Sequence, residues 1–571
     1  MEAGKRTIND IFNGNKILEI PFFQRAYVWD TPQWERFLAD MEHVSHRNKP
    51  YFLGSVILKQ QLTNSQQSVG DKRTVIDGQQ RLTTLNIFFK VLSLKTNNAY
   101  LTSLFRLPMK NNEIALLHNH NDVAAFNKIL NLDKEVKLTA NDNVTRSYTY
   151  FSENIDIKIL NFQNILTNIM FVGIDLGIDE DEQQIFDTIN SLGVRLTTAE
   201  LLKNYFFGRD DIQLFKDYWL DVFEKDNDTK DYWDLEIFAG RFRRYFIDLF
   251  FYSFLQIKIQ DSALNVSTED KDEFTKVEGL FDSYKKFIKN YNINKLELIA
   301  EIKEYAKVYQ DNFDIDITDS ELSESNSIER INAIIFGLES TTLIPYVLFV
   351  LKNVADKQEQ DKIFDYLESY MMRRMVCHEN TKNYNQLFGD RLISKNILTK
   401  DDLKTYIEKS VDKVNYMPSD SELKDGFHKS KLINKQAAGI LYFIETKIRD
   451  KAKHSTSLLG LKRYSLEHLM PKKWENNWGK LSNDQDKINR NRKLLTLGNL
   501  TIITASLNSS IRDGNWKVKV FGKASKEGLN KYATGLDTFS QYLTLPTWEE
   551  NNITERADFL YDHAVKIWSN N

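Results

Sequence analysis

The sequence predicts a predominantly helical α+β protein, and three parts of the chain support that prediction. Near the N-terminus, two short apolar runs bounded by turn residues (50–58 and 72–77) have the composition of β-strands. Residues 210–430 show mostly the periodicity of amphipathic helices. Near the C-terminus, strand-like apolar runs alternate with polar, basic segments. A chain of 571 residues suggests three or four domains, and we place them at 1–210, 211–430 and 431–571.

The composition excludes several classes of protein. A single cysteine, Cys377, excludes an intrachain disulfide framework and any multi-cysteine zinc or iron–sulfur site. The first residues, MEAGKRTINDIFNG, contain no apolar stretch of the kind found in signal peptides. No run approaches the ~20 apolar residues that a membrane helix needs. We therefore expect a cytoplasmic protein with no membrane partner.

In the N-terminal part, KRTVIDGQQRLTTLNIFFKVL reads as a strand, a tight turn and a helix that begins at once. Asp77 and Gly78 form the predicted turn, and Gln79 and Gln80 open the helix. Free backbone N–H groups and the positive end of the helix dipole attract phosphate at such a position. Arg81 adds a fixed cationic fork, and both glutamines can hydrogen-bond a phosphate, a sugar or a base. The alternative is a turn followed by an ordinary helix start.

A second N-terminal stretch, PFFQRAYVWD, places aromatic side chains around an arginine. Gln24, Arg25, Tyr27 and Trp29 could build a wall against which a nucleotide or a DNA base stacks. The same residues could equally form part of the core around one ion-paired arginine. The residues alone leave both readings open.

Charge is distributed unevenly along the chain. Residues 431–571 carry 23 Lys and Arg against 14 Asp and Glu, although the whole chain has a formal net charge of −4. A basic C-terminal module on an acidic body is typical of a nucleic-acid-binding appendage. A solvated basic face is the alternative.

The basic module contains SLEHLMP, in which Glu467 and His468 stand side by side shortly before Pro471. Farther along, in TLGNLTIITASLN, Asn499 opens an apolar strand and Asn508 follows nine residues later. Considered without the other residues of the pattern, His468 would be interpreted as an ordinary histidine in a loop. The ordered set resembles the ββα-metal finger of HNH endonucleases, with a second asparagine in place of the last histidine.

The chemistry of phosphodiester cleavage explains why these residue types belong together. Imidazole titrates near neutral pH, so His468 suits the general base that activates water. The oxygens of Glu467 and Asn508 suit Mg²⁺ or Mn²⁺ rather than zinc. Asn499 would orient the imidazole through its other ring nitrogen. Where the usual pattern has an aspartate before the histidine, this chain has a glutamate.

Cationic residues surround the pattern, as binding of a phosphate backbone would require. Those assigned to DNA contacts are Lys472, Lys473, Arg512 and Lys517, and the same stretch also contains Arg490, Arg492 and Lys519.

The two sets of motifs together resemble one family. PFFQRAYVWD, YFLGSVIL, VIDGQQRLTTL and IFDTINSLGVRLTTAELLKNYFF follow, in order, the ParB-like N-terminal domain of GmrSD-type restriction enzymes. SLEHLMP with LGNLTIITASLN is similar to the C-terminal HNH-type domain of that family. The resemblance covers about 1–210 and 431–571.

The resemblance implies a type IV-like endonuclease that cuts modified DNA in anti-phage defence. It implies that the Asp-Gly-Gln-Gln-Arg motif binds and hydrolyses a nucleoside triphosphate, with GTP, UTP, CTP and ATP all open. Members of the wider group recognise glucosylated hydroxymethylcytosine or phosphorothioate DNA. The expected fold is a ParB-like α/β domain, a helical middle and a ββα-metal nuclease domain.

Two other functions remain open on the sequence. One is a less selective, toxin-like nuclease that the N-terminal domain inhibits. The other is a ParB-like DNA-binding regulatory protein without cleavage, against which the intact set of candidate catalytic residues argues. Modified double-stranded DNA and a nucleotide are the expected partners, and homo-oligomerisation stays open.

Overall fold

The computed structural model describes most of the chain. It covers residues 2–12, 16–22, 24, 26–47, 49–61, 71–178, 198–208, 211–239, 242–276, 279–409, 414–454, 456–523 and 526–570. Two compact units divide the chain. The first comprises Met1–Asp221 and Glu278–Lys286, and the second comprises Val222–Val277 and Phe287–Asn571. The helical middle and the C-terminal module, predicted as separate domains, thus share one unit.

The first unit is built on a six-stranded mixed sheet. Its strands are β1 (Glu2–Thr7), β2 (Ile17–Glu19), β3 (Tyr51–Gln60), β4 (Lys72–Asp77), β5 (Leu116–Leu117) and β6 (Ile169–Leu176). They lie in the order β1-β6-β3-β4-β2-β5. β1 pairs with β6 and β3 pairs with β4 in antiparallel fashion, whereas the other neighbours are parallel. The two strands predicted at 50–58 and 72–77 are confirmed.

Helix α1 (Gln79–Thr96) follows β4 and forms the centre of this unit. The sequence pattern places one apolar face on this helix, but its residues from Leu82 to Ser93 are buried on every side. Rings from neighbouring helices surround it, with Phe88 5.6 Å from Phe37 and 5.7 Å from Phe151 between centroids. The other α-helices are Ile8–Phe12, Thr31–His46, Tyr100–Ser103, Val123–Leu130, Asn143–Asn154, Phe162–Asn168, Thr198–Phe206 and Ile212–Phe215.

The second unit is predominantly helical, as the periodicity predicts. Its longer helices are Phe246–Lys258, Lys295–Asn312, Ile344–Asn353, Lys357–Val376, Lys400–Glu408, Asp420–Lys429, Asn434–Ile448, Asp484–Lys493 and Glu550–Ile567. Shorter ones are Asn227–Trp233, Thr268–Phe274 and Ser327–Asn332, and a hairpin pairs Glu236–Ala239 with Phe242–Tyr245. Helix Leu280–Asn290 contains the boundary between the two units.

A buried ion pair and the hydrogen bonds around it join the middle of the chain to its C-terminal end within this unit. Arg330 forms a two-point contact with Glu368, at 2.6 and 2.7 Å. The indole of Trp568 donates to the same carboxylate at 3.0 Å, and Arg373 donates to the carbonyl of Trp568 at 2.6 Å. Removing one member of such a network leaves an uncompensated buried charge. The last helix is therefore part of the core of the helical middle.

A small ββα element lies within the second unit. β7 (Tyr464–His468) pairs antiparallel with β8 (Leu500–Thr504), and His468 faces Leu500 in the register. β8 leads directly into α2 (Ala505–Ile511), where the hydroxyl of Thr504 accepts a hydrogen bond from Leu507 N. This is the strand, strand and helix order that the C-terminal motifs predict.

One predicted stretch lies mostly outside the described residues. The sequence EDEQQIFDTINSLGVRLTTAELLKNYFFG (180–208) predicts a helix, a turn at Gly193 and a second helix, and the structure describes this stretch only from residue 198 onward, as Thr198–Phe206. Across the described ranges, no helix combines the length and apolarity that crossing a bilayer requires.

Candidate active site

His468 is the last residue of β7 and lies at the edge of a cavity of about 370 Å³. The lining comprises Glu467, His468, Pro471, Lys472, Lys473, Asn508, Arg512, Asp513 and Lys519. Successive residues of a strand point to opposite faces. Because the strand ends at His468, both Glu467 and His468 reach the same cavity. The structure therefore brings together most of the residues that the motif predicts.

The imidazole of His468 is held in its neutral form. Burial, followed by the positive charges of Lys472 and Lys519, lowers the pKa of His468 to about 4. Within the described part of the chain, neither ring nitrogen has a hydrogen-bond partner. A neutral ring carries a lone pair that can accept a proton, but a general base is most effective when its pKa lies near the working pH. Binding of an anionic phosphodiester beside His468 would raise this pKa toward that range.

Glu467 is buried and ion-paired. Its Oε1 atom accepts a hydrogen bond from the ammonium of Lys519, which also donates to the carbonyl oxygen of His468 at 2.8 Å. Burial raises the pKa of the Glu467 carboxyl and lowers the pKa of the Lys519 ammonium, and the pairing opposes both shifts. The negative charge that the pattern assigns to a metal is thus already matched by a lysine.

These donors do not fit Mg²⁺ or Mn²⁺ as they are arranged. Both ions take several hard oxygen ligands, and the single carboxylate of the predicted pair is occupied by an ammonium group. Of the residues that the structure describes, no three His, Cys, Asp or Glu side chains group so that they could hold a metal. A metal role for Glu467 stays a prediction of the sequence pattern.

Asn508 lies on α2 and faces the end of β7. Its amide nitrogen donates to the carbonyl of Leu466 at 2.9 Å and to the hydroxyl of Ser465 at 3.2 Å. These bonds fix the amide against the strand beside the cavity. The residue lines the cavity as predicted, and its role as an oxygen ligand stays a prediction.

Asn499 does not contact the imidazole, so the orienting role predicted for it is wrong. Its amide nitrogen donates to the carbonyls of Met470 and Leu494, at 2.9 and 3.0 Å. Its amide oxygen accepts from Met470 N and from the indole of Trp548, at 2.9 and 3.0 Å. Two donors and two acceptors are all that an amide offers. The fully buried Asn499 therefore fixes the loop that follows His468.

Cations form the open side of the cavity. Lys472, Lys473 and Arg512 are exposed and line it, whereas Lys517 is exposed but outside the lining. Arg512 has a positive φ of 39°, which is uncommon for a residue with a Cβ and is found at functional sites. Three exposed cations beside a neutral imidazole suit binding of a phosphate backbone.

Two further cations near the motif have structural roles. Arg490 is buried and bonds Glu550 at 2.5 Å. Lys519 is fully buried, so the assignment of both residues to a cationic surface around the site needs correction. Each is bound to a carboxylate of the same unit.

In the first unit, the Asp-Gly-Gln-Gln-Arg motif forms the predicted turn and helix start. Gly78 precedes α1 with a φ of 98°, and no side chain among the described residues caps the first turn of the helix. Asp77 accepts a hydrogen bond from the hydroxyl of Ser55 at 2.7 Å. Arg81 donates to the carbonyl of Ser55 at 3.3 Å and lies 3.9 Å from Asp77. The uncapped N–H groups and the nearby guanidinium fit an anionic phosphate.

Gly54 in β3 makes room for Arg81. Its φ is 137°, and a Cβ added there would lie 2.5 Å from Nε of Arg81. Gly78 is constrained in the same way, because an added Cβ would lie 2.9 Å from Val56. Glycine is needed at both positions for the strand and the turn to approach each other.

The aromatic stretch is bound to the start of α1. Gln80 accepts hydrogen bonds from the backbone N–H groups of Val28 and Trp29, at 2.9 and 3.4 Å. The hydroxyl of Tyr27 bonds Thr84 at 2.7 Å. The two N-terminal motifs therefore form one structural element.

Tyr27 belongs to the core, which is the second of the two interpretations that the sequence leaves open for this residue. The side chain is 3% exposed, and its hydroxyl accepts the indole N–H of Trp34 at 2.8 Å. Burial raises the pKa of Tyr27 to about 12. Trp29 is half-buried and packs on the same core, with its ring 6.5 Å from that of Phe37. Arg25 lies outside the described residues.

Gln24 lines a second cavity, of about 500 Å³. Its amide oxygen accepts a hydrogen bond from Asn204 at 3.1 Å. The amide oxygen of Asn204 is buried and has no hydrogen-bond donor among the described residues. The described lining combines amide and aromatic side chains with aliphatic ones and with the charged Glu19, Lys59 and Lys285. The amide and aromatic members are Phe22, Gln24, Gln60, Gln61, Asn204, Tyr205, Phe207 and Phe281.

Comparisons with known proteins match both ends of the chain. Residues 8–207 match the family model described as "GmrSD restriction endonuclease, N-terminal domain". Residues 417–562 match the one described as "GmrSD restriction endonucleases, C-terminal domain". The chain belongs to the GmrSD restriction endonuclease family. A search of curated proteins finds no match.

Both candidate sites lie within the matched parts of this GmrSD chain. The Asp77 motif and Gln24 fall in the N-terminal match, and His468 falls in the C-terminal one. The sequence pattern missed Lys519 as a buried partner of Glu467. Helical spacing could have shown that Lys519 is buried, because Trp516, Lys519 and Val520 share one face, but not that its partner is Glu467.

Proposed function

We propose that this GmrSD restriction endonuclease cleaves modified double-stranded DNA in anti-phage defence, using His468 as the general base, and that a nucleoside triphosphate regulates cleavage. The observation that carries the nuclease part is the position of the His468 imidazole, which lines a cavity at the end of β7 beside three exposed cations. Lys472, Lys473 and Arg512 would hold the phosphate backbone at the mouth of the cavity.

In the proposed reaction, the free ring nitrogen of His468 takes the proton of a water molecule as its oxygen attacks the phosphorus. The phosphorus–oxygen bond to the leaving sugar then breaks, its electron pair stays on the sugar oxygen, and that oxygen takes a proton from solvent. Asn499 keeps the loop after His468 in place through both polar atoms of the Met470 backbone. Mg²⁺ or Mn²⁺ is predicted by the motif, but the Glu467 carboxylate that would hold it is paired with Lys519.

The N-terminal part of the proposal rests on the uncapped start of α1. Its first N–H groups, together with Arg81, would bind the phosphates of the nucleotide. Asp77, fixed by Ser55, lies close to that position and could orient the attacking water. Gln79 is half-exposed at the same helix start. The amide oxygen of Gln80, by contrast, already accepts a hydrogen bond from the backbone of the aromatic stretch.

The cavity beside Gln24 supports recognition of a modified nucleotide. Aromatic faces stack on bases, and amide groups read polar edges. The buried amide oxygen of Asn204 offers an acceptor that no described residue uses. A glucosylated hydroxymethylcytosine or a phosphorothioate linkage is the modification that family resemblance favours.

A cleavage panel tests this function. Plain, glucosylated and phosphorothioate DNA of one sequence are each incubated with Mg²⁺ or Mn²⁺, with and without GTP, ATP, CTP or UTP. We expect cleavage of one modified substrate, a nucleotide-dependent rate, and no cleavage by the His468→Ala variant. Equal cleavage of all three substrates would instead favour the less selective nuclease.

A further inference from the structure

Lys519 reaches the nuclease site from the interior of the second unit. It lies on α3 (Trp516–Phe521), whose N-cap Asn515 accepts a hydrogen bond from Val518 N at 3.0 Å. Trp516 anchors this helix by donating to the carbonyl of Leu545 at 2.8 Å and by stacking on Trp548, with 5.2 Å between centroids. The lysine side chain is only 1% exposed. Its ammonium group is therefore held by a rigid, buried element.

The ammonium bridges two consecutive residues of the site. One N–H group binds the carboxylate of Glu467, and another donates to the carbonyl oxygen of His468 at 2.8 Å. The Glu467 side chain is itself only 7% exposed. Charges buried together in this way interact more strongly than exposed pairs. The contact holds both the carboxylate and the backbone that carries the imidazole.

We propose that Lys519 is a positioning residue of the nuclease site: it holds Glu467 and the His468 backbone, and it takes the place of a divalent cation on Glu467. A metal ion bound by this carboxylate would lie against a buried ammonium of the same sign. Glu467 therefore acts as the counter-ion that seats Lys519, and not as a metal ligand. The claim that Lys519 positions the site rests on the proposed nuclease function. The claim that Lys519 takes the place of a divalent cation does not.

Manganese binding tests the claim that Lys519 takes the place of a divalent cation on Glu467, and this test requires no cleavage assay. The full chain, free of nucleotide, is titrated with Mn²⁺, and free Mn²⁺ is followed by electron paramagnetic resonance. Wild type is compared with Glu467→Gln, Lys519→Met and the double variant, and Lys566→Met, an exposed lysine outside the cavity, is the matched control.

Glu467→Gln should leave the Mn²⁺ affinity within twofold of wild type, because the carboxylate is not a ligand. Lys519→Met should bind Mn²⁺ about tenfold more tightly, because the repelling charge is gone, and the double variant should lose that gain. A tenfold weaker affinity in Glu467→Gln, or no gain in Lys519→Met, would overturn the proposal.

The double variant also separates positioning from simple stabilisation. Lys519→Met leaves a buried carboxylate unpaired and should lower Tm, whereas Lys519→Met/Glu467→Gln contains two neutral groups and should recover most of it. If Lys519 positions the His468 backbone, the double variant keeps its KM but has a kcat at least tenfold below wild type. A double variant with wild-type Tm and wild-type kcat would show that Lys519 only stabilises the fold.

Discussion

Replacing Asn499 by alanine should destabilise the second unit and not merely slow cleavage. The substitution removes four hydrogen bonds and leaves their buried partners unpaired: both polar backbone atoms of Met470, the carbonyl of Leu494 and the indole of Trp548. A lost hydrogen bond in a buried site costs roughly 1 kcal/mol or more, so four should cost about 4 kcal/mol. In a unit of this size, whose unfolding entropy is about 2 cal/mol/K per residue, that cost corresponds to a Tm lower by about 6 °C.

Differential scanning calorimetry of the full chain measures this loss, and the DNA cleavage rate is measured on the same preparation. Asn499→Asp is the informative comparison, because it keeps the two acceptor functions and loses the two donors. We expect its Tm to lie at or below that of Asn499→Ala, because a buried carboxylate oxygen would face the carbonyls of Met470 and Leu494. An Asn499→Ala protein with wild-type Tm and a lowered kcat would contradict this reasoning and restore the orienting role at the imidazole.

Three further predictions concern the N-terminal unit. Asp77→Ala or Arg81→Ala should lower nucleotide hydrolysis with little change in Tm. Unchanged turnover of every nucleotide would show that the hydrolysis site does not include this motif. Gly54→Ala should lower hydrolysis as Arg81→Ala does, because its Cβ would meet the guanidinium at 2.5 Å. A Gly54→Ala enzyme with normal hydrolysis would show that Arg81 can shift without loss. Tyr27→Phe should cost about 1–3 kcal/mol in the free energy of unfolding, measured by urea denaturation, because its hydroxyl pairs with Thr84 and Trp34. If Tyr27→Phe instead bound nucleotide more weakly at unchanged stability, Tyr27 would be a residue of the nucleotide-binding site.

Local patterns were sufficient to predict the elements that hold both sites. The strand, turn and helix around Asp77 follow from an apolar run, a glycine at a positive φ and an immediate helix start. The ββα element follows from two apolar runs and a polar segment at its end. In both cases the determining residues are close together in the sequence, so spacing alone carries the signal.

The roles of single side chains could not be predicted in the same way, because they depend on distant partners. Asn499 is saturated by Met470, 29 residues away, and by Trp548, 49 residues away. Lys519 meets Glu467 across 52 residues. The hydroxyl of the buried Tyr27 forms a hydrogen bond with Thr84, 57 residues later. A motif gives the residue types of a site, and tertiary packing decides which of them face the substrate.

The central claim is that His468 is the general base of the nuclease. It is tested by measuring DNA cleavage, DNA binding and nucleotide hydrolysis on one preparation of His468→Ala, with Tm as the control for folding. A positioned general base contributes about 10²–10⁴-fold to the rate, whereas DNA affinity depends on several cations.

We predict a cleavage rate lower by at least a hundredfold, with DNA binding, nucleotide hydrolysis and Tm close to wild type. A His468→Ala protein that still cleaves DNA at the wild-type rate would contradict the account.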